Sequence, residues 1–220
     1  MVNNTTILAH KNKPIGILAD SHGHRSLLKT GITILKHKEC QPIIHLGDIC
    51  DSARIHTADE SVCLIQHHRI LAIKGNNDHL LCVSGDPHIS PSTKLFLRDL
   101  PLVLRIQDIV FSHSLPFEKE LGLACMIQDL NQINIQMFMN SLSNDNILFR
   151  GHSHQPELIQ PSYESYERIQ LDFPGHLQLS RSKKSIVTCG ALLNSHCAIF
   201  FPETMMFYGI AFSHRSDLSD

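Results

Sequence analysis

Residues 14–22 read PIGILADSH, a short apolar run that ends abruptly at Asp20. A run of this length, bounded by polar residues, is typical of a buried strand that leads into a loop. Residues 25–38 follow, and their apolar side chains recur at the spacing of one helix face. The start of the chain therefore predicts a strand, a polar loop and a helix.

The same order recurs further along the chain. Residues 42–45 (PIIH) and 70–74 (ILAIK) are two more apolar runs, and residues 57–68 between them have helical spacing. Alternating strands and helices favour a parallel sheet with helices on its faces. Each run ends in polar residues, and open α/β sheets bind their ligands at this carboxyl edge. We therefore expect the polar residues after these three strands to meet in space.

The second half of the chain contains more strand-like runs, from which we expect a second, more antiparallel sheet. These runs lie at residues 102–106, 109–112, 146–150, 185–188, 196–201 and 205–212. We expect a two-residue hairpin turn at Gln107 and Asp108. Residues 118–142, rich in Leu, Ile, Met and Gln, predict a helical insert. Residues 160–182 contain few apolar side chains and predict a loop excursion.

The composition limits the class of protein. A chain of 220 residues, of which 42% are hydrophobic, suits a single domain over residues 1–220 with a sizeable core. The formal net charge of -2 and the lack of a Lys/Arg run give no reason to expect a nucleic-acid partner. A small substrate, or one held mainly by metal ions, fits that charge better.

The sequence predicts neither a signal peptide nor a membrane span. Residues 1–20 lack a charged n-region, a long apolar stretch and a small-residue cleavage site, so they do not predict a signal peptide. No segment approaches the length of a membrane span. The seven Cys residues are scattered without a CxxC pair, which predicts reduced thiols in a cytoplasmic protein.

Histidine is unusually frequent, with 16 residues. Scattered His can lie at the surface or form hydrogen bonds in the core, but neutral imidazole is also a common metal ligand. Two explanations therefore compete, and the position of each His relative to the predicted strands has to decide between them.

Two motifs follow the first two predicted strands. Asp20 and His22 form D-x-H, and residues two apart on an extended segment point the same way, so both can reach one ion. Gly47, Asp48 and Asp51 form G-D-x-x-D. Asp48 could bridge two cations with its two oxygens, and Asp51 could accept a hydrogen bond from a ligand His. The alternative for both motifs is an Asp that caps a turn or a helix, and each motif alone favours it.

Three more motifs follow later strands. Residues 75–78 read GNND, in which the carbonyl oxygen of Asn76 is a neutral metal ligand, although these residue types are also those of turns. His113 follows the run at 109–112, and a lone His at the end of a strand is more often a structural hydrogen-bonding group. Residues 151–154 read GHSH, whose two His could face the same side of an extended segment.

The five motifs together, in this order, resemble those of the calcineurin-like metallophosphoesterases. That family has D-x-H, G-D-x-x-D, G-N-[H/C/D]-D, a lone His and G-H-x-H in sequence. The spacings are similar to those of its small bacterial and archaeal phosphodiesterase branch, over residues 14–156 and more weakly towards the C-terminal strands. The resemblance implies an α/β fold, a four-layer α/β/β/α sandwich of two mixed sheets flanked by helices.

The resemblance also implies two adjacent divalent metal ions, with Asp48 bridging them. One ion would be held by Asp20, His22, Asp48 and His154, and the other by Asp48, Asn76, His113 and His152. Oxygen and imidazole ligands suit Mn, Fe, Zn or Ni, and the sequence does not choose among them. Two cations about 3.5–4 Å apart can hold a bridging hydroxide that attacks phosphorus in line.

The source of the proton for the leaving oxygen is open. Many family members have His directly after the ligand Asn, where this chain has Asn77, and an amide cannot act as a general acid. Asn77 could still donate a hydrogen bond to a phosphate oxygen. His24 and His79 flank the motifs and are candidate donors, whereas Asp51 and Asp78 complete the candidate catalytic residues. A missing acid favours phosphodiesters with good leaving groups.

Alternatives remain at this point. The same site could serve a phosphomonoesterase or a nucleotide pyrophosphatase, with a nuclease as a third choice. A protein-binding scaffold with this fold, like the retromer subunit whose metal site has decayed, is a non-enzymatic alternative. The segments at 118–142 and 160–182 could form a lid or the surface of a homo-oligomer. We expect the partner to be a small phosphate ester, and neither a membrane nor nucleic acid.

Overall fold

The computed structural model describes residues 13–141, 143, 145–163 and 165–213. The expectation about the N-terminal residues falls largely on residues 1–12, which lie outside the described residues. In chain order, the strands are β1 (Ile15–Leu18), β2 (Ile43–His45), β3 (Leu71–Ala72), β4 (Val103–Ile106), β5 (Ile109–Ser112), β6 (Ile147–Arg150), β7 (Glu157–Pro161), β8 (Tyr166–Gln170), β9 (Gly175–Gln178), β10 (Ser185–Thr188), β11 (His196–Phe201) and β12 (Met206–Ala211).

Helices connect these strands. The α-helices are α1 (Arg25–His37), α2 (Ala58–His67), α3 (Asn76–Val83), α4 (Pro91–Asp99), α5 (Glu118–Leu121) and α6 (Gln132–Asn140). Three short 3-10 helices lie at Ser52–Thr57, Gly122–Met126 and Leu192–Asn194. Among the described residues, no helix combines the length and the apolar character that crossing a bilayer needs. None of the seven cysteines forms a disulfide.

The strands form two mixed six-stranded sheets. The first sheet has the order β3-β2-β1-β11-β12-β9, and the second has the order β4-β5-β6-β10-β7-β8. The predicted parallel arrangement of β1, β2 and β3 is confirmed. The second sheet is parallel across β5, β6 and β10 and antiparallel elsewhere.

Three apolar clusters separate the layers. One lies between the two sheets and includes Ile17 and Phe149. Another lies between the first sheet and α1, α2 and α4, and the third lies between the second sheet and the segment that contains α6. Helices therefore cover the outer face of each sheet, and the expected four-layer α/β/β/α sandwich is confirmed.

The expectation that the second half forms its own sheet is only partly right. β9, β11 and β12 join the first sheet, where β11 runs antiparallel to β1 with Ile15 opposite Phe200. The pattern of apolar residues identified these strands but carries no signal for their partners, because pairing depends on residues far apart in the chain.

The two unusual segments differ from each other. The segment at 118–142 is largely helical, as expected, with residues 127–131 irregular, and its Ile135 and Phe138 pack against the second sheet. The segment at 160–182 is only partly a loop excursion, because it contains β8 and β9. β8 is an exposed edge strand with polar residues on both faces, so it lacks the alternation that reveals a half-buried strand.

Candidate metal centre

Five polar loops meet where strands of both sheets end. The backbone N–H of Asp20 donates to the carbonyl of Gly47 at 3.1 Å, which joins the loops after β1 and β2. The N–H of Gly151 donates to the carbonyl of His113 at 3.0 Å, and the N–H of His152 donates to Asp20 Oδ2 at 3.1 Å. The loops after β5 and β6 therefore join those of the first sheet.

The first proposed ligand set is closely spaced. His22 Nε2 lies 3.3 Å from His154 Nε2, which in turn lies 3.5 Å from Asp20 Oδ1. His22 Nε2 also lies 3.6 Å from Asp48 Oδ2. Donor atoms that share an ion at about 2.0–2.2 Å are separated by distances of this order. The arrangement fits a divalent cation held by the carboxylates of Asp20 and Asp48 and by two imidazoles.

The second proposed set has the same character. His113 Nε2 lies 3.0 Å from Asn76 Oδ1, 3.2 Å from His152 Nδ1 and 3.5 Å from Asp48 Oδ2. Asp48 Oδ2 therefore lies between the two sets. The sequence suggested a bridge through both oxygens of Asp48, whereas here one oxygen faces both sets and Oδ1 accepts a hydrogen bond from the N–H of Asn77 at 2.9 Å.

Two of the histidines have a defined tautomer. His113 Nδ1 lies 2.8 Å from the carbonyl oxygen of Leu46, which can only accept, so the ring proton is on Nδ1 and Nε2 is free to bind a metal. His22 Nδ1 lies 2.7 Å from Asp51 Oδ2 and is held in the same way. Asp51 Oδ1 also accepts the N–H of Ala53 at 2.8 Å. Asp51 is thus both the partner of a proposed ligand and a helix cap.

Asn77 and Asp78 brace the site. The side-chain amide of Asn77 donates to Asp48 Oδ2 at 2.8 Å, so it does not extend freely towards a substrate as the sequence suggested. Asp78 is fully buried and accepts the N–H groups of Cys50 and Gly75, each at 3.0 Å, which joins the loops after β2 and β3. Burial, and then the charge of Asp48, raise the pKa of Asp78.

The other candidate acids lie nearby on the chain. His24 precedes α1, and its N–H donates to the carbonyl of Ser21 at 2.8 Å. His79 lies on α3, and its buried Nδ1 has no hydrogen-bond partner among the described residues. Neither observation assigns His24 or His79 a role in proton transfer.

Opposed effects set the charges of the site. Burial alone would raise the pKa of Asp20, but the hydrogen bond from His154 and the nearby His113 outweigh it and hold that pKa below its ordinary value. The same hydrogen bond raises the pKa of His154. Burial, and then His113, lower the pKa of His152. Asp20 is therefore a carboxylate, and His152 is neutral near pH 7, as metal ligation requires.

The backbone at the site is strained. Five of the seven proposed ligands have positive φ, a region that costs roughly 1–3 kcal/mol for a residue other than Gly. These are Asp20 (53°), His22 (46°), Asp48 (54°), His152 (70°) and His154 (61°). Residues in this conformation persist only where the surrounding structure fixes them, and they cluster at functional sites.

Sequence reasoning missed the residues beneath the proposed ligands. His45 is fully buried, and its Nε2 lies 3.0 Å from the hydroxyl of Ser21 in the D-x-H loop. Arg150 is also buried, and its guanidinium donates to the carbonyl and the hydroxyl of Ser114 at 3.0 and 2.9 Å. A signal was present, because a His and an Arg inside apolar runs are rarely buried without a structural task.

Comparison with known proteins agrees with this geometry. A family model, the calcineurin-like phosphoesterase superfamily domain, matches residues 14–195. The chain belongs to the calcineurin-like phosphoesterase superfamily. The matched range contains all the proposed ligands of this calcineurin-like phosphoesterase. No curated protein matches the chain.

Solved structures share the fold of this calcineurin-like phosphoesterase. A metallophosphoesterase from Sphaerobacter thermophilus has a TM-score of 0.72 and 19% identity, with 92% of this chain and 89% of that chain covered. A hypothetical protein from Pyrococcus horikoshii has a TM-score of 0.62 and 16% identity, with 93% and 90% covered. A candidate diadenosine tetraphosphatase has a TM-score of 0.55 and 14% identity, with 96% and 99% covered. At these identities the likeness is one of fold.

Proposed function

We propose that this calcineurin-like phosphoesterase hydrolyses phosphodiester bonds at two adjacent divalent cations. The observation that supports the proposal is the position of Asp48 Oδ2, which lies 3.6 Å from His22 Nε2 and 3.5 Å from His113 Nε2. A carboxylate oxygen between two sets of donor atoms is the arrangement that a shared ligand needs. Asp20, His22, Asp48 and His154 would hold one cation, and Asp48, Asn76, His113 and His152 the other.

The donor chemistry fits the cations. The two sets offer carboxylate, amide and imidazole groups without thiolate, and this combination suits Mn, Fe, Zn or Ni. When bound, such a pair of cations supplies a nucleophile at neutral pH and neutralises the charge on the phosphate oxygens. Cys50 lies inside the G-D-x-x-D motif, but its thiol is buried in the apolar cluster between the first sheet and the helices, where it contacts the carbonyl of Ala58 at 3.9 Å.

The residues of the chain orient these ligands. Asp51 and the carbonyl of Leu46 hold the rings of His22 and His113 so that Nε2 faces the cluster. Asn77 holds Asp48 at both oxygens. Orientation in advance of binding lowers the activation free energy, because these groups do not have to reorient during the reaction.

The lack of an acid after the ligand Asn supports esters with good leaving groups, such as aryl diesters, as substrates. Asn77 has no titratable proton, and its amide is committed to Asp48. Esters whose leaving group departs without protonation should therefore react faster than esters of alkyl alcohols. His24 and His79 remain candidate proton donors.

A scaffold function is disfavoured for a physical reason. All seven proposed ligands are present, and five of them are held in a costly backbone conformation. A phosphomonoesterase or nucleotide pyrophosphatase would use the same ligands, and substrate assays have to decide between these activities. A small phosphate ester as substrate, a cytoplasmic location and a homo-oligomeric state stay predictions.

The test measures metal content and hydrolysis together. Protein stripped with a chelator is reloaded with Mn²⁺, Fe²⁺, Zn²⁺ or Ni²⁺ and assayed with bis-p-nitrophenyl phosphate and p-nitrophenyl phosphate. We expect two metal ions per chain and a higher kcat/KM for the diester. Asp48→Asn should lower kcat/KM by about 100-fold or more and reduce the metal content. Hydrolysis at the wild-type rate in Asp48→Asn would contradict the two-metal proposal, and a preference for the monoester would contradict the substrate class.

A further inference from the structure

The segment at 118–142 reaches the metal centre at Asp129. Most of this segment packs on the outer face of the second sheet. Its Asp129, however, has Oδ1 3.5 Å from His152 Nε2. The other ring nitrogen of His152, Nδ1, lies 3.2 Å from His113 Nε2 within the second ligand set. An acidic residue outside the five motifs thus faces the far side of a proposed ligand.

The backbone around Asp129 is anchored. Its carbonyl accepts the N–H of Asn131 and the side-chain amide of Asn134, each at 3.0 Å. The carbonyl of Gln128 accepts a short hydrogen bond from the hydroxyl of Ser114. Ser114 directly follows His113 in the chain. The position of Asp129 is therefore tied to the loop that carries a ligand of the same set.

The buried Arg150 also contacts Ser114. Its Nη2 donates to the hydroxyl of Ser114 at 2.9 Å, and it lies two residues before His152. The strand ends that carry His113 and His152 are thus joined to the segment at the same point. Because the backbone is fixed here, an aspartate with two side-chain torsions needs only a small rotation to shorten the 3.5 Å distance to a hydrogen bond.

The other ligand histidines show what such a contact does. Metal-bound His usually donates its second ring N–H to a carboxylate or a carbonyl, which fixes the tautomer and the ring orientation. His22 has Asp51 in this role, and His113 has the carbonyl of Leu46. Among the described residues, Asp129 is the carboxylate within ion-pair distance of His152 Nε2.

We propose that Asp129 is a positioning residue, contributed by the segment at 118–142, that accepts the Nε2–H of His152 and keeps its Nδ1 directed at the second cation. The proposal rests on the proposed function, because it requires His152 to be a ligand. The side chain of Asp129 is 86% exposed, so water competes for it and the effect should be moderate. The segment then acts on the metal centre through one side chain.

The first experiment measures metal affinity. Zn²⁺ is titrated into chelator-stripped protein by calorimetry for the wild type, Asp129→Ala, Asp129→Glu and the control Glu120→Ala, which removes an exposed acidic group from the same segment. We expect Asp129→Ala to weaken the weaker-bound Zn²⁺ by about 10-fold, within the range for such partners. Asp129→Glu should recover part of this loss, and Glu120→Ala should behave like the wild type.

The second experiment observes the ring directly. Long-range ¹H–¹⁵N NMR of the imidazole groups, with His152 assigned from His152→Gln, should show the Nε2–H tautomer of His152 in the zinc-loaded wild type. In Asp129→Ala, with matched thermal unfolding as a check of folding, we expect a shift of the Nε2 resonance.

The outcomes separate the two proposals. If the wild type binds two Zn²⁺ and Asp129→Ala binds both as tightly, the role of Asp129 is wrong and the proposed function is unaffected. If Asp129→Ala changes only KM for the diester, the carboxylate acts on the substrate, and the positioning role is again wrong. If the wild type binds no pair of cations with any of Mn²⁺, Fe²⁺, Zn²⁺ or Ni²⁺, both proposals fail.

Discussion

Asn77 holds Asp48 at both carboxylate oxygens, with its backbone N–H 2.9 Å from Oδ1 and its side-chain amide 2.8 Å from Oδ2. Oδ2 is also the oxygen that lies between His22 and His113. The residue at the position expected for an acid therefore orients the carboxylate of Asp48, the proposed bridging ligand. A substitution of Asn77 removes only the bond to Oδ2, since the backbone donor remains.

Asn77→His should change the substrate preference. An imidazole at this position can protonate a poor leaving oxygen, and such general acids contribute about 10²–10⁴-fold in well-placed sites. We expect kcat/KM to rise more for alkyl phosphomonoesters than for bis-p-nitrophenyl phosphate, measured over a series of leaving groups. Asn77→Ala, which adds no acid, should lower the activity on both classes. An equal effect of Asn77→His on both classes would contradict the role of leaving-group acidity.

Asp51 allows its two tasks to be separated. Its Oδ2 holds His22, and its Oδ1 caps the 3-10 helix at Ser52–Thr57. Asp51→Asn keeps a good capping group but loses the charge beside His22, so it should weaken Zn²⁺ binding while the free energy of unfolding of the metal-free protein stays nearly constant. Asp51→Ala should lose both, with about 1 kcal/mol of stability in addition.

The measurements for Asp51 are zinc titration and urea unfolding in the presence of a chelator. If Asp51→Asn binds Zn²⁺ as tightly as the wild type, the carboxylate serves the helix cap alone.

The proposed ligands were predictable because their residue types and order are local features. Asp20, Asp48 and His113 each follow a short apolar run, and the carboxyl ends of such strands meet at one edge of a sheet. The order of the motifs then favoured the interpretation of these residues as metal ligands over their interpretation as caps. Asp51 has both of the roles that the sequence offered. Its Oδ2 contacts His22, and its Oδ1 caps the following helix.

The other features depend on contacts between residues far apart in the chain, which a local sequence pattern does not reveal. Asp129 faces His152 only because the segment at 118–142 folds back over the second sheet. β11 pairs with β1 across most of the chain, and the strand pattern alone does not select that partner. α4 could have been found, because Ser90 caps it and Pro91 occupies its first turn.

Gly75 should not tolerate a methyl group. A Cβ on Gly75 would overlap Oδ1 and the backbone nitrogen of Asp48, so Gly75→Ala must displace the Asp48 carboxylate. We expect a loss of stability of about 1–3 kcal/mol and weaker Zn²⁺ binding. Gly85→Ala is the matched control, because a Cβ there meets nothing within 4 Å. Equal unfolding free energies and zinc affinities in the two variants would contradict the close approach of these loops.

His45 should make the stability of the metal-free protein depend on pH. Its Nε2 donates to the hydroxyl of Ser21 at 3.0 Å, since that hydroxyl uses its own proton on the carbonyl of Ile49 at 3.1 Å. Burial lowers the pKa of His45 from 6.5 to about 3. The folded protein therefore keeps this ring neutral at a pH where the unfolded chain binds a proton.

The sign follows from the proton count. Between pH 6.5 and about 3, the unfolded chain binds more protons at this position than the folded protein does. The free energy of unfolding is therefore unaffected by this group above pH 6.5 and decreases as the pH falls below it. The slope approaches about 1.4 kcal/mol per pH unit for one group. Urea unfolding with a chelator at several pH values should show a shallower slope for His45→Gln than for the wild type. His152, whose pKa burial also lowers, is present in both proteins, so the difference between the slopes isolates His45. Parallel slopes for the two proteins would mean that His45 is not the neutral, buried group inferred here.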